Sequence, residues 1–549
     1  MTVDELFFVP LGGAGEIGMN MSLYGYDGQW LMVDMGIGFA DGTANGVDVF
    51  TPDPSFIVKE SEKLVGMVIT HAHEDHLGAV PYLWNKIRCP IYATPFAVSI
   101  LRRKLDEVGL LNKVVLHEIP VGGSNTIGQF SVDFISAAHS VPEGNIFIIR
   151  CGAGIVVHAT DWKIDPNPLV GRRTDEKALR QIGDEGVLAL VCDSTNVFVE
   201  GASGSEGVLR QSLKKIIANC TGRVAVACFA SNIARLETIN RVGIETGRHT
   251  ALVGRSLWRN SDAGIENGYL RDIEPFVAEE EISFLPANKT LLAVTGSQGE
   301  PRSALARIAN GKHRNVLLEA GDTVIFSSRE IPGNELAISN VQNKLLRLGV
   351  EVLTEQDGFV HVSGHPAREE LVTMYRWTRP KILIPVHGER RHLAEHCRLG
   401  VQSQISHTQV VENGNMAALS QMGIEIVDEV PTGRLAIDGS RLVSSESPVI
   451  QERKRLLYNG VALVTVIAGP RGDLCGEPEV SLEGVLDTNL EEAIYRGLIE
   501  AIKSGMEKLA SDRQSSDDFI IKMVKRTVRK ALGDTIGKRP VTKVHVVRI

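Results

Sequence analysis

The stretch Thr70-His71-Ala72-His73-Glu74-Asp75-His76-Leu77-Gly78 places three histidines and an aspartate within six residues. It follows the apolar run Leu64-Val65-Gly66-Met67-Val68-Ile69, which reads as a buried strand, so the polar cluster sits on the loop at its C-terminal end. Imidazole and carboxylate are the usual ligands of zinc or manganese, and a loop on a rigid strand can aim several at one point. The spacing suits two adjacent sets: His71 and His73 facing one ion, Asp75 and His76 the other. Two ions roughly 3.5–4 Å apart suit hydrolysis, because one activates water and both stabilise charge on the reacting centre. A polar loop of surface histidines is the competing reading, and this order after an apolar strand speaks against it.

The same design recurs along the chain. Phe130 to Ser136 alternates as a strand and ends in Ala137-Ala138-His139-Ser140. Ile146–Ile149 and Ile155–His158 read as a hairpin ending in Ala159-Thr160-Asp161, and Val187–Cys192 ends in Asp193-Ser194-Thr195-Asn196. Four apolar strands that each deliver a polar residue at the C-terminal tip predict one shared site.

Before that cluster, Leu6–Leu11, Met21–Tyr24 and Trp30–Asp34 read as meandering strands. Between the first two, Gly13-Ala14-Gly15-Glu16-Ile17-Gly18 matches a dinucleotide fingerprint, with Asp34 at about the distance of a ribose-binding acid. A dinucleotide site needs a helix directly after the glycines to aim its N-terminus at the pyrophosphate. The residues that follow, Met19 to Gly28, have hairpin character instead, so the glycines are read as a tight turn.

With 549 residues the chain exceeds one core and predicts several domains. The net charge of −9 means that any nucleic-acid contact must come from local basic groups. No apolar run approaches the ~20 residues of a membrane span. The start, Met1-Thr2-Val3-Asp4-Glu5, lacks the basic opening of a signal peptide, and seven scattered cysteines without a C-x-x-C pair argue for reduced thiols and a cytoplasmic home. Cys151, Cys192 and Cys228 lie in apolar runs and are expected to be buried.

From about 205 to 355, strands such as Val224–Phe229 and Thr290–Val294 alternate with amphipathic helical stretches such as Ile233 to Val242, a βαβ pattern that predicts a parallel sheet. Polar tips return in His361-Val362-Ser363-Gly364-His365 and in Pro385-Val386-His387-Gly388-Glu389. After a Ser/Glu-rich stretch from Leu442 to Pro448, strands at Val461–Val466, Glu479–Val485 and Lys543–Val547, with helices near 489–511 and 516–533, predict a small α+β domain. Its tail concentrates basic residues, with Lys522, Lys525, Arg526 and Arg529 on one helix face; contact with a phosphate backbone and a merely solvated face are equal readings. His392 and His396, one turn apart on a helix, are expected at the surface, and His158 in the core or behind a ligand.

These residues carry a family pattern. From His71-Ala72-His73-Glu74-Asp75-His76 through His139 to Asp161 the chain resembles the metallo-β-lactamase superfamily. Asp193-Ser194-Thr195-Asn196, Ser363-Gly364-His365 and Pro385-Val386-His387-Gly388-Glu389 resemble its β-CASP nuclease branch. Phe229-Ala230-Ser231-Asn232, Thr295-Gly296-Ser297-Gln298-Gly299-Glu300-Pro301 and Ile331-Pro332-Gly333-Asn334-Glu335 are most similar to the ribonuclease J family within it. The resemblance implies an α/β fold: a four-layer αββα core with an inserted β-CASP domain and a small C-terminal α+β domain. The expected boundaries are 1–205 and 356–447 for the core, 206–355 for the insert, 448–459 for a linker and 460–549 for the last domain. Where relatives read His-Thr-Gly-Asp-Phe-Lys, this chain has His158-Ala159-Thr160-Asp161-Trp162-Lys163, so the surroundings of Asp161 differ while the aspartate stays.

The resemblance also implies roles. His71, His73 and His139 would bind one ion, Asp75, His76 and His387 the other, with Asp161 bridging; zinc comes first, manganese or magnesium second. His365 is the expected general acid and Asp193 its orienting partner, and Asp75 counts with them at the catalytic centre as well as being a ligand. Ser231, Asn232, His361, Ser363, Gly364 and His365 resemble a pocket for a 5′-terminal monophosphate. For His361 a structural place at a strand edge is an equal reading. The expected activity is hydrolysis of RNA by a water activated between two metals, 5′-to-3′ from monophosphorylated ends and also internally, in RNA maturation and decay. The expected products are 5′-phosphates and 3′-hydroxyls. RNA and further copies of this chain, as a homodimer or homotetramer, are the expected partners, with no membrane. Small-molecule hydrolysis by the same core and a non-catalytic RNA-binding scaffold are the alternatives.

Overall fold

The computed structural model describes residues 5–39, 46–331, 333–486, 491–509 and 516–549. The start Met1–Asp4, Pro332 and the expected helix ends at 489–490 and 510–511 lie outside these. The described residues form two compact units: 5–39 with 49–442, and 46–48 with the residues after 442.

The first unit is built on two sheets. One runs in the order Gly423–Glu429, Asn415–Ser420, Leu6–Gly12, Met21–Tyr26, Gln29–Val33, Leu64–Val68, Ile91–Ala93, Leu116–Glu118. The other runs Ser124–Ile127, Phe130–Ala137, Gly144–Cys151, Gly154–Ala159, Ala189–Asp193, Ile382–Val386, His407–Thr408. Strand alternation decides the layers. Phe147 and Ile149 point between the sheets, where they meet Phe8, Leu31, Phe134 and Ile384. Ile146 and Ile148 of the same strand point outward, against Leu179, Leu371 and Met374 of the helices Glu176–Glu185 and Arg368–Thr378. On the far side, Leu23 and Met32 pack on Leu83 and Leu101 of the helices Val80–Ile87 and Pro95–Glu107. The result is the αββα sandwich that the resemblance implies. Burial of each such Leu, Ile or Phe contributes ~1.5–3 kcal/mol relative to exposure, so strand ends anchored this way are rigid supports for a site.

Between the strands Ala189–Asp193 and Ile382–Val386 the chain makes a parallel five-stranded sheet, His249–Val253, Thr290–Val294, Val224–Ala227, Thr323–Phe326, Glu351–Leu353. Its three inner strands are buried on both faces, as continuous apolar runs such as Val224-Ala225-Val226-Ala227 require. On return, Ile382–Val386 pairs in parallel with Ala189–Asp193, Asp193 opposite Val386. That register sets His387 beside Asp193, although the insert separates them in the chain.

In the second unit Val461–Ala468 is the central strand, antiparallel to Glu479–Glu483 and parallel to Val541–Arg548. Ala462, Val464 and Val466 face the helices Glu491–Glu507 and Asp517–Ile536, the latter through Ile520, Val524, Val528 and Leu532 at four-residue steps. The stretch expected as a linker, 448–459, is helical over Pro448–Asn459, with the Ser447 hydroxyl capping its first turn and proline at its first position.

Candidate active site and metal centre

Three strand tips lead into a residue forced to turn sharply. Asp34, Asp161 and His387 follow Gln29–Val33, Gly154–Ala159 and Ile382–Val386, and all three have positive φ: 63°, 48° and 54°. Such a conformation costs a non-glycine residue of order 1–3 kcal/mol and persists only where the surroundings over-determine it. Asp34 Oδ1 accepts the Thr70 N–H and Oδ2 the Thr70 hydroxyl, both at 2.8 Å, which fixes the start of the histidine loop. His387 N–H donates to Gly13 O at 2.6 Å.

The glycine run therefore has a role unrelated to nucleotides. Ala14–Gly15 pairs with Gly388–Glu389, and the strand Met21–Tyr26 follows where a dinucleotide site would need a helix. A Cβ on Gly18 would lie 3.3 Å from the Cβ of Asp75, and one on Gly36 would overlap the Asp75 carbonyl. The glycines let backbone close against the histidine loop.

Two donor sets converge. His71 Nε2 and His139 Nε2 lie 2.9 and 3.0 Å from His73 Nδ1, and 3.6 and 3.5 Å from Asp161 Oδ2. On the other side, His76 Nε2 lies 3.3 Å from Asp161 Oδ1 and 3.5 Å from Asp75 Oδ2, and His387 Nε2 3.2 Å from Asp75 Oδ2. Within each set the donor atoms are all within 4.8 Å of one another, and Asp161 belongs to both. Asp161 Oδ1 is buried and accepts no hydrogen bond of good geometry. A shared carboxylate with one oxygen towards each cluster of imidazole nitrogens fits a pair of divalent ions.

Outer partners orient the donor side chains. His76 Nδ1 lies 2.7 Å from Asp34 Oδ2, His139 Nδ1 2.6 Å from Gly364 O, and His387 Nδ1 2.8 Å from the Thr195 hydroxyl. These contacts leave the opposite nitrogen of each ring towards the cluster.

Charge divides the two sets. Burial depresses the imidazoles of His71, His73 and His139, His73 to about 4, so they stand as neutral donors. Burial acts the same way on His76 and His387, but Asp161 together with Asp75 and Asp34, or with Asp193 and Asp75, outweighs it and holds both well above the ordinary 6.5. Burial also opposes the ionised forms of Asp75 and Asp161, yet the surrounding histidines keep both below the usual carboxylate range. A cation entering the second set would take the place of those protons.

Beside the clusters, His365 Nδ1 lies 2.8 Å from Asp193 Oδ2 and 3.8 Å from Asp161 Oδ2. Asp193 Oδ1 accepts the N–H and hydroxyl of Thr195, each at 2.7 Å. Ser363 Oγ accepts the His365 N–H at 3.1 Å and an Asn196 side-chain N–H at 2.8 Å. A Cβ on Gly364 would meet the His139 ring at 2.7 Å. Of the other residues expected at a phosphate pocket, Asn232 caps the helix Ile233–Glu245 by accepting the Arg235 N–H at 2.9 Å, and Ser231 precedes it. His361 lies in a loop, where a strand edge was one expectation; its Nδ1 is buried without a partner, and burial together with the Arg235 charge holds its pKa well down.

His392 and His396 correct the surface expectation: both are buried, and His396 Nδ1 lies 2.9 Å from the Ser194 hydroxyl. His158 is a core residue, with Nδ1 2.8 Å from the Tyr24 hydroxyl. Cys192 and Cys228 are buried, whereas Cys151 is half-buried. Reading the sequence missed Thr70, Thr195 and Asn196 as orienting groups. Asp34 was legible only as a false ribose acid, although it carries the same strand-then-acid signature as Asp161 and Asp193.

Comparison with known proteins follows this layout. A beta-lactamase superfamily domain matches residues 29–176, the ribonuclease J beta-CASP domain 221–345, a Zn-dependent metallo-hydrolase RNA specificity domain 349–409, and the ribonuclease J C-terminal domain 448–549. The ribonuclease J of Sinorhizobium meliloti is 42% identical over 100% of this chain and 98% of its own. That of Mycolicibacterium smegmatis is 35% identical over 98% and 96%, and ribonuclease J 1 of Streptococcus pyogenes 35% over 95% and 98%. A crystal structure of a protein of unknown function from Enterococcus faecalis V583 shares the fold, with TM-score 0.51 and 14% identity over 76% of this chain and all of that one.

Proposed function

The chain belongs to the ribonuclease J family and is a metal-dependent ribonuclease, and on that premise we propose that it degrades RNA 5′-to-3′ from monophosphorylated ends, with internal cleavage as a second mode, in RNA maturation and decay. The observation that carries the reading is Asp161 shared between two histidine donor sets, with the His365–Asp193 pair against the same carboxylate. Divalent ions held by those sets would supply Lewis acidity and lower the pKa of water towards neutrality.

The side chains do the rest. His71, His73, His139 and Asp161 form one ligand set, and Asp75, His76, His387 and Asp161 the other. Imidazole-rich donors of this kind favour zinc, with manganese or magnesium as the alternatives that metal analysis would reveal. His365 gives its proton to the leaving ribose oxygen, which yields a 3′-hydroxyl and a 5′-phosphate. Asp193 holds the ring by Nδ1, so Nε2 is the proton donor. Ser231, Asn232, His361, Ser363 and Gly364 form the pocket for a terminal phosphate, Ser363 through its hydroxyl, while Asn232 shapes the turn that carries Ser231. A cytoplasmic setting is supported by seven free cysteines. A homodimer or homotetramer is supported by the edge strand Val541–Arg548, which leaves Val547 exposed.

The test compares end-labelled 5′-monophosphorylated RNA, 5′-triphosphorylated RNA and DNA of one sequence, with wild type and Ser363→Ala. Wild type is expected to prefer the monophosphorylated RNA, and Ser363→Ala to lose that preference more than internal cleavage. Equal losses on both RNA end types would remove Ser363 from the pocket.

A further inference from the structure

Residues Asp193 to Asn196 are followed by an aromatic ring that the chemistry above does not use. Overlapping turns, with Val197 N–H donating to Ser194 O at 3.1 Å and Val199 N–H to Asn196 O at 2.8 Å, fold the segment back on itself. They bring Phe198 over His392, ring centroids 5.3 Å apart at 64°. His392 is buried, and its Cβ packs against Gly388, next to the ligand His387. Phe198 is therefore held from one side, yet it is 52% exposed. Val197 before it is fully buried, so the exposed ring is not the tip of a loose loop.

The same segment anchors a cation. Arg329, exposed on the loop after the strand Thr323–Phe326, donates from Nη1 to Asn196 Oδ1 at 2.6 Å. Asn196 in turn donates from Nδ2 to Ser363 Oγ at 2.8 Å and to His365 O at 3.0 Å. One amide thus separates the guanidinium from the backbone of the proposed general acid. Among the described residues no carboxylate lies within 4.0 Å of Arg329, whereas Arg368, Arg390 and Arg391 pair with Glu200, Glu412 and Glu389. A held, exposed ring and a held guanidinium are joined to the same short segment, the ring two residues after Asn196 and the guanidinium on Asn196 itself. Together they match single-stranded nucleic acid, in which every base offers a π-face and every linkage a phosphate. A docked protein would need a continuous apolar patch of several hundred Å², whereas one ring suffices for one base.

We propose that Phe198 and Arg329 form a nucleotide subsite of the RNA path, Phe198 stacking on one base and Arg329 pairing with an adjacent phosphate. The proposal rests on the ribonuclease reading and adds to it a contact that grips the strand without reading its sequence. Because the ring contacts a base and not the scissile phosphate, its loss raises KM far more than it lowers kcat.

The experiment uses the metal-loaded enzyme, steady-state kinetics and a set of 5′-monophosphorylated oligoribonucleotides, each with one abasic nucleotide at a successive position. Phe198→Ala is expected to raise KM on the unmodified strand about 5- to 100-fold, the range for loss of one base–aromatic stack, and Phe198→Trp to restore it. With wild type, one abasic position raises KM comparably, and on that strand Phe198→Ala adds little further loss. Arg329→Gln lowers the slope of log KM against log salt concentration by about one, as loss of one phosphate contact does. An unchanged KM in Phe198→Ala, or a loss equally large on every abasic strand, would overturn the subsite. Wild-type inactivity on the unmodified RNA would instead overturn the ribonuclease reading itself.

Discussion

His365 Nδ1 and Asp193 Oδ2 lie 2.8 Å apart although the whole inserted sheet separates the two residues in the chain. Burial opposes a charge on His365, but Asp193, helped by Asp161, outweighs it and holds the imidazole above its ordinary value. An acid catalyst works only while protonated, so activity is lost as pH rises through its pKa. Asp193→Asn removes the main cause of the rise and should move the alkaline limb of the kcat profile to lower pH. His365→Ala should slow turnover by roughly 10²–10⁴ with the metal retained. Metal analysis beside the pH profiles is the check, and a large loss of metal from His365→Ala would make His365 a ligand.

His76→Ala should abolish RNA hydrolysis without unfolding the protein. His76 lies between Asp34 on one side and the Asp75 and Asp161 carboxylates on the other, so its loss empties the second donor set and leaves the first intact. The expected result is about half the wild-type metal content and an unchanged circular dichroism spectrum. Wild-type turnover in this variant with both sets filled would break the two-ion assignment.

The strands and most of the polar cluster were legible because both rest on local pattern, whereas the αββα layering was legible only through the family resemblance. Apolar strands ending in His71, His139, Asp161 and Asp193 announce themselves by alternation and by the polar tip. What stayed hidden depends on contacts distant in sequence. No spacing rule tells that His387 N–H meets Gly13 O, or that Thr195 orients His387. The glycine run matched a nucleotide fingerprint because close backbone approach demands glycine whatever lies opposite, here Asp75 and Asn20. His392 and His396 were misjudged because histidines one turn apart suit either face of a helix, and only the packing of Arg390–Gln402 on Ile382–Val386 turns them inward.

Gly364→Ala should damage the metal centre without unfolding the chain. The added Cβ would lie 2.7 Å from Cε1 and 2.9 Å from Nδ1 of His139, the free end of a side chain that can swing away. His139 would then leave its place beside His73 and Asp161 and lose its contact with the Gly364 carbonyl. Disturbing such an orienting contact typically costs 10- to 100-fold in metal affinity or activity. Metal titration against a chelator, alongside a thermal melt, measures both. Unchanged metal affinity would mean that the backbone at 364 moves and the ligand does not.

Two histidines buried outside the two donor sets should make the fold sensitive to mild acid. Burial depresses His158 to about 3 and His396 to about 4 in the folded chain, against 6.5 for an ordinary imidazole. Below pH 6.5 the unfolded chain takes up protons at these positions while the folded chain does not. The unfolded state thus binds more protons in that window, and stability falls as pH falls from about 6.5 towards 4. Above pH 7 both states are neutral there and the effect vanishes. Each group contributes at most ~1.4 kcal/mol per pH unit, hence about 2 kcal/mol between pH 6.5 and 5. Metal ligands also titrate in acid, so the informative quantity is a difference of slopes. His158→Gln should lower stability at pH 7.5, because the contact with the Tyr24 hydroxyl is disturbed, yet lose less than wild type on going to pH 5. Urea denaturation of both proteins at a series of pH values measures the two slopes. Parallel curves for the two proteins would show that His158 takes up a proton without leaving the fold.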